Sequence, residues 1–223
     1  DNPHEAQAMA ERLDQLNTER RVVEAAVRAA ALEQAEARGL DAPLVWAAGE
    51  GWHPGVVGIV ASRLKEMTNR PAVVIGLENG EGKGSGRSVA GVDLGASIQR
   101  LASEGLLIKG GGHRMAAGLT VAEDQVEGAM DQLSALLEKQ GAGQGGAADL
   151  RLDGMLMPGA ATVELIEQLE QAGPFGQGAP GPRFAIADAR ITYTRQVGTG
   201  HLKVACDDGL GGRLEGIAFG AYE

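Results

Sequence analysis

The sequence predicts an α/β fold: a mixed-sheet domain behind a long connector helix, followed by a small β-barrel. Three observations predict it. Residues 3–38 are dominated by Ala, Glu, Arg, Gln and Leu, the better helix formers. Residues 40–140 alternate apolar, strand-like runs with stretches of helical period. Residues 149–223 carry short alternating runs separated by glycine turns, the pattern of a β-meander.

The first helix has Asn2 as its cap, Pro3 where a first turn tolerates it, and Gly39 as its stop. Its apolar stripe runs through Met9, Leu13, Leu16, Val22, Val23, Ala26, Val27 and Ala30. That stripe is too irregular for coiled-coil heptads, so the helix is expected to pack on a domain or to bridge two. Residues 1–39 thus precede a domain at 40–140. There LVWAAGE (44–50) reads as a strand. Pro54 opens a helix with Val56, Val57, Val60, Leu64 and Met67 on one face, ended by Asn69 and Pro71. AVVIGL (72–77) reads as a buried strand, and GEGKGSGRS (80–88) as a turn into a glycine-rich strand. Helices are predicted at 93–104, capped by Asp93, and at 123–139, with KGGGHRMAAG (109–118) in a loop between them.

GAGQGGAA (141–148) has the composition of a flexible linker. After it, ADLRLDGML is strand-like and ATVELIEQLEQAG is a short helix closed by Gly173. PFGQGAPGPRF holds three prolines and three glycines, so it can be neither helix nor central strand. FAIADARITYTRQ, HLKVACDD and RLEGIAFG then form the meander of a barrel at 149–223, expected to lack its last strands.

The chain has 223 residues, 35 of them glycine, and a net charge of −10. Glycine usage is about twice the average of ~7%. A hydrophobic content of 43% excludes a disordered chain. The single cysteine, Cys206, excludes an internal disulfide and a cysteine-built zinc cage, and suits a reducing cytosol. No apolar run is long enough to span a membrane and no signal peptide is visible, so a cytoplasmic protein without a membrane partner is expected. Asp1 in place of an initiator Met points to a piece of a longer chain. Acidity excludes a general DNA-coating role. The charge is uneven, however. Between residues 80 and 118, Lys83, Arg87, Arg100, Lys109 and Arg114 outweigh Glu81, Asp93 and Glu104, so an anion site would be local.

Two glycine-rich stretches fall in that segment. In GEGKGSGRS, Lys83 is followed by Gly84, so the phosphate-loop pattern is absent. Its glycines alternate by two. On a strand they would bare one face and put Glu81, Lys83, Ser85 and Arg87 on the other. Ser85 and Arg87 would stand about 7 Å apart. A hydroxyl and a guanidinium so placed suit a phosphate, and the alternative is that Arg87 pairs with a carboxylate. In KGGGHRMAAG, three glycines, Gly110, Gly111 and Gly112, permit positive φ and bring amide N–H groups near a ligand, while His113 and Arg114 can donate to an anion. The alternative is a tight turn with a surface histidine. His53, in WHPG, either faces an anion at a helix start or simply caps that helix. His4, His53, His113 and His201 show no metal-ligand spacing. These residues read as able to grip a phosphate and not to cut one.

WHPGVVGIVASRLKE, RPAVVIG, GKGSGRS and GGGHRMAAG occur in an order that resembles the DHH-associated domain of DHH phosphoesterases. WHPGVVGIVASRL, with PFGQGAPGPRF ahead of a β-barrel, is similar to the RecJ family of single-strand-specific 5′→3′ DNA exonucleases, along nearly the whole chain. The resemblance implies that the helix with LDQLNTERRVVE is a connector, 40–140 a DHH-associated substrate-binding domain, and 149–223 the start of an OB domain. It implies two-metal phosphodiester hydrolysis with Mn²⁺ or Mg²⁺ held by Asp and His residues of a DHH domain. No DHH triplet occurs here, so this chain alone is expected to bind no metal and to be inactive. It further implies that Ser85 and Arg87 contact the strand's 5′-phosphate. His113 would contact a phosphate beside the metals and stabilise charge developing there. His53, Gly111, Gly112 and Arg114 would line the same cleft.

For the OB part, Phe175, Phe184, Tyr193, Phe219 and Tyr222 are stacking candidates, most of them expected in the core. That part is net acidic and is expected to bind weakly by itself. Single-stranded DNA is the implied substrate, in repair and recombination, with a single-strand-binding protein or a helicase as further partners. The alternatives are a DHH phosphodiesterase for short oligonucleotides or cyclic dinucleotides, and a non-catalytic nucleic-acid-binding module.

Overall fold

The computed structural model describes residues 2–144, 150–176 and 179–222. They divide into two compact units, 1–148 and 149–223. Residues 145–148 of the expected linker, and residues 177 and 178 of the proline-glycine stretch, lie outside the described residues.

In the first unit, β1 (Val45–Glu50), β2 (Ala72–Glu78), β3 (Glu81–Arg87), β4 (Lys109–His113) and β5 (Ala116–Ala122) make one sheet in the order β1-β2-β3-β5-β4. β1 and β2 run parallel, with α2 (Pro54–Thr68) between them in sequence, and every other pair is antiparallel. Parallel strands are covered on both faces, which is why AVVI reads as an unbroken apolar run. Asn79 and Gly80, at φ 53° and 79°, form the two-residue turn from β2 to β3 that Asn-Gly favours.

The sheet separates two cores. On one face α1 (Pro3–Arg38) and α2 pack Val27, Ala31, Val57, Val60 and Leu64 against Val45, Ala47 and Val74. On the other, α3 (Leu94–Ser103) and α4 (Val126–Glu138) pack Leu94, Ile98, Met130 and Leu133 against Val73, Ile75, Leu119 and Val121. The helix starts are capped as their sequences suggest. Asn2 Oδ1 accepts from the His4 N–H (3.1 Å), and Asp93 Oδ1 accepts from the Ala96 N–H (2.9 Å). The segment expected as one helix at 123–139 begins with a 3-10 turn, Glu123–Gln125, before α4.

Two expectations are corrected. Of the apolar stripe expected on α1, only Val27 lies in the buried face. Met9, Leu13, Leu16, Val22 and Val23 are exposed, and the helix is buried only at Val27, Ala31 and Ala35. Alanine lets α1 come close to β1, and that proximity is used. The Gln34 side-chain amide donates to Ala48 O (2.8 Å) and accepts from the Ala48 N–H (3.1 Å), sealing the sheet edge as another strand would. Arg38 lies 4.0 Å from the centroid of the buried Trp46 ring and pairs with Glu127 of α4 at 3.2 Å. KGGGHRMAAG also differs from its expected form. It is not a loop but a hairpin, β4 and β5 joined at Arg114 and Met115, with His113 opposite Ala116.

In the second unit, β8 (Arg190–Val197), β9 (His201–Asp207) and β10 (Arg213–Ala218) form the expected meander, in the order β10-β9-β8. β6 (Gly154–Leu156) pairs in parallel with β7 (Phe184–Ile186), and α5 (Val163–Glu170) is capped by Thr162. The barrel is not closed among the described residues, for three meander strands are too few to curl onto themselves. Its aromatics are accordingly not core. Phe175, Tyr193, Phe219 and Tyr222 stand exposed, and only Phe184 is half-buried. Lys203, hydrogen-bonded to Glu215 and with Arg213 beside it, holds the Glu215 carboxyl below the ordinary glutamate range.

Candidate functional site

Strand alternation builds the site. Gly82, Gly84 and Gly86 turn toward the α3/α4 core, where a methyl group would stand 2.7 Å from Ile75 Cγ2, 2.9 Å from Leu119 Cδ1 and 2.7 Å from Leu94 Cδ2. Those glycines let two layers meet at short distance. Lys83, Ser85 and Arg87 consequently share the opposite face.

Register carries that face across three strands. Arg87 lies opposite Ala116, which lies opposite His113. Ser85, Gly118 and Gly111 form the next row, and Lys83, Thr120 and Lys109 the one after. Arg87 and His113 therefore face the same side with one strand between them, about 10 Å apart at the backbone. Arg114 is exposed in the hairpin turn beside this row, and its carbonyl accepts from the Leu94 N–H at 3.1 Å.

Arg87 is half-buried, and its Nη1 donates to Ser85 Oγ and to Gly86 O, both at 2.9 Å. Among the described residues no carboxylate pairs with it, so the alternative of a structural ion pair does not hold here. Room for it comes from Gly58 in the middle of α2, where a methyl group would lie 3.1 Å from both Arg87 Nη2 and Ser85 Oγ. A glycine inside a helix costs about 1 kcal/mol. The glycine in VVGIV is thus a sign, visible in the sequence, of a close neighbour.

The glycines of the hairpin are of two kinds. A methyl group at Gly110 would meet Ile98 Cγ2 at 2.6 Å, and one at Gly112 would meet Ala116 O and Ala117 Cα at 2.5 Å. Both positions are set by packing, and Gly112 alone of the three has positive φ. At Gly111 the nearest atom would be Gln99 Nε2 at 3.9 Å, and at Gly118 the Gly84 carbonyl oxygen at 3.8 Å. Packing does not require glycine there. Their effect is a strip without side chains beside Ser85, next to a row in which only the methyl group of Ala116 stands between Arg87 and His113.

His53 caps α2, its Nδ1 accepting from the Gly55 N–H at 3.0 Å. Its ring lines a separate cavity of about 580 Å³ together with Trp52, Asn79, Glu81 and Lys83. Lys83 also lines a second cavity of about 440 Å³, with Lys109, Gly111, Gly118 and Thr120. The two cavities thus share one lysine, and Lys83 and Lys109 join the candidate site beside the residues expected from the sequence. Their signal was the strand period of β3 continued through the hairpin.

Among the described residues no group of three or more His, Cys, Asp and Glu side chains could hold a metal ion.

Residues 41–139 match the family model of the DHHA1 domain, and residues 152–223 that of the RecJ OB domain. The chain is 39% identical over 224 residues to the single-stranded-DNA-specific exonuclease RecJ of Dickeya dadantii, covering 96% of this chain and 38% of that protein. It is 37% identical over 228 residues to the protein of that name from Escherichia coli, covering 98% and 39%. It therefore spans about two fifths of the length of these relatives. Among solved structures, RecJ from Thermus thermophilus in complex with Mg²⁺ matches at a TM-score of 0.77 and 30% identity, over 96% of this chain and 32% of that one. The same protein in complex with Mn²⁺ matches at 0.73 and 28%, over 97% and 31%.

Proposed function

Since this chain belongs to the RecJ family, with a DHHA1 domain followed by a RecJ OB domain, we propose that it is the substrate-gripping part of a 5′→3′ exonuclease that acts on single-stranded DNA in repair and recombination. One observation supports this most directly. Arg87 is half-buried, braced by Ser85, without a carboxylate partner among the described residues, and stands beside the bare strip of Gly118 and Gly111. A guanidinium so held is preorganised for an anion. A terminal phosphate offers three oxygens and more charge than an internal one, so it is the better occupant.

In this reading Ser85 and Arg87 hold the 5′-phosphate. His113, in the same row, donates to a neighbouring phosphate, and Arg114 adds charge at the turn. Gly111 and Gly118 let the backbone of the strand lie on the sheet. His53 contributes its free ring edge from the next cavity. The bond-breaking step belongs with a Mn²⁺- or Mg²⁺-binding domain of the whole protein, since no ligand set for such an ion lies among the described residues. No described helix is long and apolar enough to cross a membrane. We place the activity in the cytoplasm, on strands delivered by a helicase or held by a single-strand-binding protein.

Arg87→Ala tests the grip. Binding of a 5′-phosphorylated strand should weaken roughly tenfold or more, the worth of one charge-assisted contact. A 5′-hydroxyl strand should bind almost as before. Equal losses on both strands would exclude the terminal-phosphate role. The RecJ OB match at 152–223 favours longer strands over the dinucleotide alternative.

A further inference from the structure

We propose that Lys83 and Lys109 form a second phosphate clamp, which holds an internal phosphate of the strand whose terminal phosphate lies on Ser85 and Arg87; the proposal rests on the strand-gripping reading above. Register puts the two lysines on one face, either side of Thr120. Both are exposed, Thr120 between them is buried, and together they line the cavity of about 440 Å³. Neither is paired with a carboxylate among the described residues. The ground from this row to the Arg87 row is the floor of Gly111 and Gly118, kept bare although packing would admit a methyl group at either position. A bare, flat path with cations at both ends fits an extended polyanion.

Spacing separates the clamp from the terminal grip. Lys83 and Arg87 are four residues apart on one strand, or about 13 Å. One phosphate cannot span that distance, so the two grips hold different phosphates of one strand. Charge also ends the path. Glu81 is the next residue on this face of β3, and Glu78 lies directly opposite it. Two carboxylates repel a phosphate, so the backbone must leave the sheet beyond the lysine row. Lysines are hydrated point charges on flexible stems and recognise phosphate irrespective of base. The clamp therefore adds affinity and register without sequence preference.

The test uses the intact protein, with divalent metal chelated so that strands are not cut. Lys83→Ala, Lys109→Ala and Arg87→Ala are each titrated with a 5′-phosphorylated oligothymidylate of about twelve nucleotides and with thymidine 5′-monophosphate, at several salt concentrations. Each lysine variant should bind the oligonucleotide roughly tenfold more weakly. The dependence of log affinity on log salt should become shallower by about 0.7 per lysine. Monophosphate binding should be unchanged in the lysine variants and reduced in Arg87→Ala. Wild-type affinity and salt slope for the oligonucleotide in both lysine variants would overturn the clamp. So would a loss of monophosphate binding equal to that of Arg87→Ala, because the lysines would then serve the terminal phosphate. If Arg87→Ala affects neither ligand while the lysine variants lose the oligonucleotide, the clamp stands and the terminal-phosphate reading falls.

Discussion

At the scale of single residues, glycine has two distinct uses a few ångströms apart. Gly84 lies where Leu119 and Ile75 leave no room for a methyl group, while Gly118 lies where the nearest atom would be 3.8 Å from one. Gly84→Ala should therefore destabilise the fold by about 1–3 kcal/mol, the usual cost of overpacking a core. Gly118→Ala should leave stability unchanged or raise it by about 0.5 kcal/mol, since alanine has less conformational freedom to lose. It should nonetheless weaken single-strand binding, because its methyl group stands on the floor. Urea denaturation and a binding titration on both variants check the contrast; a stability loss at Gly118 as large as that at Gly84 would mean the floor is structural. Ser85 and Arg87 were legible in the sequence because alternation by two survives without any neighbour. Gly58 and the two lysines were not selected, since their roles depend on which strands and helices come to lie beside β3.

At the scale of elements, the contrast between α1 and β4 shows where local sequence stops deciding. The helix at 3–38 is legible from propensity, but its buried face is not, because exposed Met9 and Leu13 look more core-like than buried Ala31 and Ala35. β4 is nearly invisible: Gly-Gly-Gly has poor strand propensity, and only the ladder to β5 makes it a strand. The seal between α1 and β1 gives a test at this scale. Gln34→Ala removes the partner of both backbone groups of Ala48. Leaving such groups unpaired costs about 1–3 kcal/mol, which chemical denaturation should register. Gln34→Glu, which keeps the acceptor and loses the donor, should fall between alanine and wild type.

At the scale of the whole molecule, the candidate face exists because the helical layers are unequal. α3 and α4 back the sheet on one side, while on the other α1 and α2 cover β1 and β2 and α2 packs along β3, closest at Gly58. β5 and β4 are left open beside them, and cations collect there on a chain of net charge −10. The distant field of that chain repels a strand, and only within about a Debye length, ~8–10 Å, does the local patch dominate. Added salt screens both, so it should weaken binding mainly through faster dissociation, with little change in the association rate. Stopped-flow measurements at two salt concentrations check this, and a steep fall in association rate would mean that the distant field attracts. The long helix α1 also has a mechanical side. It is buried from Val27 to Ala35, with Gln34 and Arg38 as further fastenings, while its first turns are exposed. From Val27 back to Pro3 is about 36 Å at ~1.5 Å per residue. A tilt of only about 5° at the fastened end would swing the first turn through roughly 3 Å over that length. The helix is a lever with its fulcrum on the sheet edge, and where its far end points is decided by a glutamine and two alanines near the other.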